Sequence, residues 1–235
     1  MELKLDYSLK KIIEKNAKKV DNFACEYPDF MKIIDKNILV GKDYTSAISQ
    51  ANIYDTPFEL SQIIQTQHKY YENSVIFMLQ GNLNESYTLL RLAMELSRDI
   101  LVLSKKPDLM ELWKNREEEY GKYRKKFKFN HEHPANMCAH ELYKLASSYG
   151  VHGHQTTLLN CKELKNEDNF DFTELSLTTE RIVSNLETWF SAFFPIYGNL
   201  IDCLSMSNPV TQDTISAEKE VMELCKTNIE LLQGS

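Results

Sequence analysis

The chain has 235 residues, 43% hydrophobic and 26% charged, with a formal net charge of −7. That apolar content supports one sizeable core and excludes disorder over most of the chain, while the negative balance argues against a general nucleic-acid binder held by overall charge. Seven glycines and six prolines are too few for the many turns of an all-β fold, so long helices are expected.

Residues 7–25 place Leu9, Ile12, Ile13, Ala17, Val20 and Phe23 at helical spacing, opposite a lysine-rich face. A short helix is expected over 28–38, ended by Gly41, and residues 43–55 are polar and ambiguous. Residues 1–55 therefore read as an N-terminal helical extension packed on a main bundle of 56–235. Thr56-Pro57 has the form of an N-cap followed by proline at the first helical position. The helix it opens should run to about residue 80, where Gly81-Asn82 breaks it.

Residues 84–104 are apolar around most of the circumference, as in a helix at the centre of a bundle. Pro107 opens a further predicted helix, "DLMELWKNREEEYGKYRKKF", and "NHEHP" interrupts the chain after it. Another helix is expected over 134–148. In "SYGVHGH", residues 148–154, Gly150 reads as the permissive residue just past a helix end and Gly153 as a second turn residue. An irregular stretch extends to residue 172. Helices then follow over 175–205, with a kink at Pro195, and over 216–232. Short connections between long helices predict an all-α, multi-helix, mostly antiparallel bundle around one central apolar helix.

The five cysteines, Cys25, Cys138, Cys161, Cys203 and Cys225, are odd in number and include no C-x-x-C pair. A disulfide framework or Cys-based zinc site is not expected; reduced thiols in a cytoplasmic protein are. The N-terminal "MELKLDYSLKK" lacks the apolar run of a secretion signal. The most apolar window, 188–204, contains Pro195, Asn199 and Asp202 and suits a buried helix better than a membrane span.

Within 84–104, steps of three, four and seven put Asn84, Tyr87, Thr88, Arg91, Glu95, Arg98 and Asp99 on one side. Two readings of this polar stripe stand. It faces water, with Arg91 and Glu95 as an exposed i,i+4 pair, or it lines a polar cavity inside the bundle. Burial of Glu95 separates them, because a buried carboxylate is costly unless paired.

The stretch "GNLNESYTLLRLAMELSRDILVLSKKPDLMELW" resembles the core segment of an uncharacterised bacterial and archaeal all-helical family. That family has an R-x-x-x-E helix after a glycine break and a later Ser/Tyr…His stretch. The resemblance covers about residues 75–155, and the matching residues are Arg91, Glu95, Ser147, Tyr149 and His152. It carries no activity, but it implies that the R-x-x-x-E helix and the histidine loop face each other. Arg91, Glu95 and His152 are accordingly one candidate catalytic set.

The histidines are His68, His131, His133, His140, His152 and His154. The two H-x-H pairs invite a metal reading, with His152 and His154 as the first ligands to consider. The co-ligands are too few, however, and neither H-E-x-x-H nor a repeated E-x-x-H is present, so no metal and no cofactor is expected. The alternative is that loop histidines cap helix ends, and that His140 is a satisfied structural residue. No G-x-S-x-G motif and no Gly-rich phosphate loop occurs.

Residues 122–133, "KYRKKFKFNHEH", interleave Lys122, Arg124, Lys125, Lys126 and Lys128 with Tyr123, Phe127 and Phe129. Phosphate contacts and base stacking on such a run would suit RNA. The alternative is a lysine-rich helix C-terminus favoured by the macrodipole. Arg124 and His131, seven apart, are similar to the R-x4-6-H motif of HEPN domains, small helical bundles of which many are metal-independent RNases. That resemblance implies catalysis by Arg124 and His131. Lys125 departs from the small polar residue expected after the arginine.

Three functions follow as expectations. The first is a helical module acting by protein or RNA interaction, as a homo-oligomer or in a stress or phage-defence system. The second is a HEPN-like RNase, and the third a His/Glu metal-dependent hydrolase. No DNA-binding motif and no membrane partner is expected.

Overall fold

The computed structural model describes residues 9–50, 57–151, 179–205 and 212–234, and among these there is no strand. In chain order the helices are α1 (Leu9–Glu26), α2 (Pro28–Gln50), α3 (Pro57–Leu79), α4 (Leu83–Lys105), α5 (Met110–Lys114), α6 (Tyr120–Lys126), α7 (Pro134–Ala146), α8 (Thr179–Ser205) and α9 (Gln212–Gly234). The expected all-α bundle is borne out.

The predicted break after α3 is a glycine-capped helix end. Gly81 has φ 80°, in the left-handed region that side chains disfavour. Its N–H donates to Met78 O, and the N–H of Asn82 to Phe77 O, each at 2.8 Å, closing a Schellman motif. This tight turn returns α4 alongside α3. Leu90, Ala93, Met94, Ile100, Leu101 and Leu103 of α4 are buried between α3, α7 and α8. The central position expected for this helix is thus explained by its apolar circumference.

Helix α2 is longer than expected. It continues through Gly41 and the polar segment to Gln50 because Ile34, Val40, Tyr44 and Ile48 keep one buried face. Gly41 does not stop the helix. It admits Tyr197 of α8, whose hydroxyl would lie 2.1 Å from a Cβ at that position. Asn37 of α2 and Asn228 of α9 exchange side-chain hydrogen bonds of 3.2 and 2.9 Å. Phe23, Ile34 and Tyr44 belong to the same apolar core as α3, α4 and α8.

The helix expected after Pro107 is divided. A 3-10 turn (Pro107–Leu109) leads into α5, and residues 115–119 form turns before α6. The division lets two aromatic side chains, Trp113 from α5 and Tyr123 from α6, converge on one carboxylate of α4.

Polar groups on the buried side of α3 join it to α8. His68 Nδ1 lies 2.5 Å from the Tyr197 hydroxyl, Tyr71 donates to Trp189 O at 3.1 Å, and Trp189 Nε1 donates to Ser74 Oγ at 3.1 Å. Helix α8 continues through Pro195. There the Ser97 hydroxyl of α4 donates to the proline carbonyl at 2.8 Å, and Asn199 Nδ2 donates to Ser97 Oγ at 2.6 Å. Asn199, polar within an apolar window, is therefore part of the α4–α8 contact.

After α7 the chain tightens into a π turn (Ser147–Val151) packed on α4. Tyr149 stacks on Tyr87 at 5.0 Å. A Cβ on Gly150 would meet the backbone N of Thr88 at 2.7 Å. Gly150 thus serves a close approach of two backbones, whereas the sequence suggested a left-handed helix end; its φ is not positive.

Candidate functional site

The polar stripe of α4 does not face open water. Arg91 and Glu95 are each 26% exposed and joined at 3.0 Å. The Arg91 guanidinium also sits over the Tyr143 ring at 5.6 Å, a contact from α7. One turn further on, Arg98 and Asp99 are 12% and 3% exposed.

Asp99 is the best-partnered of these groups. Its Oδ1 accepts from Arg98 Nε at 2.8 Å and lies 2.7 Å from the terminal NH2 as an ion pair, while that NH2 donates to Tyr123 Oη at 2.6 Å. Its Oδ2 accepts from Tyr123 Oη at 2.7 Å and Trp113 Nε1 at 2.9 Å. Burial pushes the Asp99 carboxyl up, and Arg98 and the donors from Tyr123 and Trp113 oppose that shift. Every neighbour donates, and a carboxylate is acceptor-only, so the geometry is that of the ionised form. Tyr123 is driven above the ordinary phenol range by burial and by Asp99, which keeps its proton in place for donation.

This network forms one wall of a cavity of about 310 Å³. Glu95, Leu96 and Asp99 line it from α4; Phe58, Gln62, Thr66 and Tyr70 line it from α3. Trp113, Arg116 and Tyr123 line its far side, and Glu59, which is paired with Lys114, also borders it. Of the two carboxylates on the α4 wall, Asp99 is fully engaged. Glu95 gives Oε1 to Arg91, and its Oε2 takes no hydrogen bond among the described residues. The cavity reading of the stripe is therefore the one the packing favours.

The basic run has two sides. Tyr123 and Phe127 point inward, buried and stacked on each other at 4.7 Å. Phe129 lies under Arg98, 5.3 Å from its guanidinium, and stacks on His140 at 4.7 Å. These three aromatics are occupied by the fold. The exposed aromatic here is Tyr120, at 59%, which the pattern of the run did not single out. Arg124, Lys125, Lys126 and Lys128 are exposed and make no ion pair among the described residues, while Lys122 pairs with Glu119.

Arg124 lies on α6, which ends at Lys126, and His131 lies beyond that end. The two do not share a helical face. His131 instead meets His140 of α7: Nε2 and Nδ1 are 2.7 Å apart and the rings stack at 4.7 Å. Burial, with Lys144 and His131 adding to it, lowers the His140 pKa. His140 is thus partnered, as expected of a structural residue, but its partner is another titratable ring. His133 caps α7, its Nδ1 accepting from the Asn136 N–H at 3.3 Å.

His152 and His154, and with them the expected meeting of His152 with Arg91 and Glu95, lie outside the described residues. So do Thr56, Cys161 and Gly153. Ahead of His152 in the chain, Tyr149 and Gly150 contact Tyr87 and Thr88, one turn before Arg91. Among the described residues no group of three or more His, Cys, Asp or Glu side chains could hold a metal ion. Cys25, Cys138 and Cys225 are free thiols. No helix among the described residues is long and apolar enough to cross a membrane.

The structural residues that spacing alone missed are Trp113, Tyr123 and Tyr143. Trp113 and Tyr123 bond Asp99 from 14 and 24 positions away, and no periodicity links such distances. Comparison with protein-family models, with curated proteins and with solved structures finds no match to this chain.

Proposed function

We propose that this protein binds single-stranded RNA along α6 and the segment that follows it. The observation that carries the reading is the set of exposed cations Arg124, Lys125, Lys126 and Lys128, unpaired among the described residues, in a chain whose net charge is −7. A local basic stripe on an acidic protein is an electrostatic footprint for phosphates, and the exposed ring of Tyr120 offers a stacking surface beside it. The test is fluorescence polarisation with a labelled single-stranded RNA. Replacing Arg124, Lys125 and Lys126 together by Glu should abolish binding while leaving the urea unfolding midpoint unchanged. Equal binding by this variant and the parent would overturn the reading.

A second reading, cleavage of the bound strand, is favoured by the His131–His140 contact. An exposed imidazole oriented by a second one has the arrangement of a positioned base. With Nε2 of His131 held by His140, the free nitrogen is Nδ1. It would take the proton of a ribose 2′-hydroxyl as O2′ attacks phosphorus; the P–O5′ bond then breaks, and the leaving oxygen takes a proton from water or from the ring. His131→Ala and His140→Ala should each lose cleavage while retaining RNA binding. Undiminished cleavage by both would remove this reading.

A further inference from the structure

The cavity walled by α3, α4, Trp113 and Tyr123 has the composition of a base pocket. Its walls are mainly apolar and aromatic, from Phe58, Tyr70, Trp113 and Leu96, and its volume of about 310 Å³ exceeds that of a purine ring. Phe58 is 72% exposed beside the opening, an unusual place for a phenylalanine with no partner to cover. Glu95 is the polar reader on this wall. Its Oε1 is tied to Arg91, which fixes the carboxylate, and Oε2, with no hydrogen bond among the described residues, is left to accept. A half-buried, acceptor-only group between aromatic walls selects a flat ligand with N–H donors on one edge. Among the nucleobases guanine presents adjacent donors there, N1–H and the exocyclic N2 amine. Adenine presents an acceptor at N1, which a carboxylate repels.

Tyr123 is the link between this cavity and the proposed RNA face. It lines the cavity on one side and is flanked in sequence by Lys122 and Arg124. We infer that the cavity receives a guanine base, with Glu95 Oε2 accepting from its Watson–Crick edge. For a base within a strand, this rests on the RNA-binding reading above; for a free guanine nucleotide it does not.

Intrinsic fluorescence reads the site. The chain has two tryptophans, and Trp189 is buried at 1% exposure, so quenching by a ligand in the cavity reports Trp113. Excited at the red edge of tryptophan absorption, the parent protein should be quenched saturably by GMP. Inosine monophosphate, lacking the N2 amine, should bind about tenfold more weakly, and AMP more weakly still. Glu95→Gln should erase the preference for GMP over AMP. Phe58→Ala, a change at an exposed position that leaves the fold intact, should weaken GMP several-fold and keep the preference.

In the RNA arm, one guanosine placed in an oligouridylate should tighten binding about tenfold in the parent and not in Glu95→Gln. Equal or absent quenching by GMP and AMP, with no effect of the guanosine, overturns the inference; oligouridylate binding in that case shows that the RNA face stands without it. Selective quenching by GMP with no binding of either oligonucleotide supports the pocket for the free nucleotide and removes the RNA face instead.

Discussion

The polar groups buried between α3 and α8 are neutral, whereas those buried beneath α6 are ionised. In the first set, burial lowers the His68 pKa to about 4 and lifts the Tyr197 phenol well above its ordinary range, so both stay uncharged at neutral pH. Their hydrogen bonds join helices, and neither residue lines the cavity beside Asp99. In the second set, Asp99 and Arg98 keep full charges at the edge of the core, and their wall borders the cavity. The difference follows from desolvation. A neutral hydroxyl or imidazole needs one partner when buried, whereas a buried carboxylate needs its whole acceptor capacity filled. Asp99 meets that demand only by drawing Trp113 and Tyr123 from two separate short helices. The ionised set therefore fixes the shape of the cavity, and the neutral set fixes the register of the bundle.

The sharpest way to break this contrast is to remove the carboxylate. Asp99→Ala leaves Arg98 buried without its counter-charge and should destabilise the protein by about 3–5 kcal/mol in urea unfolding. A loss below about 1 kcal/mol would mean that the ionised set is not structural.

On the neutral side, the expected effect depends on pH. His68 has a folded pKa of about 4 against an ordinary value of 6.5, so between these values the unfolded chain binds more protons than the folded one. The stability that His68 contributes is present above pH 6.5 and is lost as the pH falls towards 4, by up to about 3 kcal/mol. His68→Gln should flatten the stability profile across that window. An unchanged profile would show that His68 is already protonated in the folded protein or that other groups dominate.

A smaller effect sharpens the register claim. Gly41→Ala drives a methyl group into the Tyr197 hydroxyl and should cost about 1–3 kcal/mol by overpacking. Thermal unfolding measures it. A neutral result would mean that α2 and α8 are free to separate at this point. The smallest effect belongs to neither set. Lys144 and Glu141 pair at 2.8 Å with side chains 54% and 66% exposed, and Lys144→Ala should leave the unfolding midpoint unmoved.

The sequence made the bundle legible where one rule acted alone. Residues 84–104 are apolar almost all round, and Gly81-Asn82 carries its own turn chemistry. It misled where two rules competed. Gly41 suggested a helix end by propensity, yet its purpose is the approach of Tyr197. Residues 43–50 read as ambiguous because Tyr44 and Ile48 are only two apolar anchors in a polar run, and burial by α3 and α9 decides the helix. The site was half legible. Helical spacing grouped Arg91, Glu95, Arg98 and Asp99, but the partners that tell a fixed carboxylate from a free one lie beyond the turns at 115–119. The interleaved aromatics of 122–129 pointed to stacking on RNA; with α6 ending at Lys126, Tyr123, Phe127 and Phe129 all face protein. The contact of His131 with His140 spans the start of α7 at Pro134, where neither strand nor helix spacing applies.

The most direct test of the RNA face is the salt dependence of binding. If Arg124, Lys125, Lys126 and Lys128 contact phosphates, the logarithm of the affinity for an oligouridylate falls linearly with the logarithm of salt concentration, by roughly 0.7 for each contact. Lys125→Ala should make that slope shallower by about one contact and weaken binding uniformly across sequences. A slope near zero in the parent protein, or a slope untouched by Lys125→Ala, would contradict it.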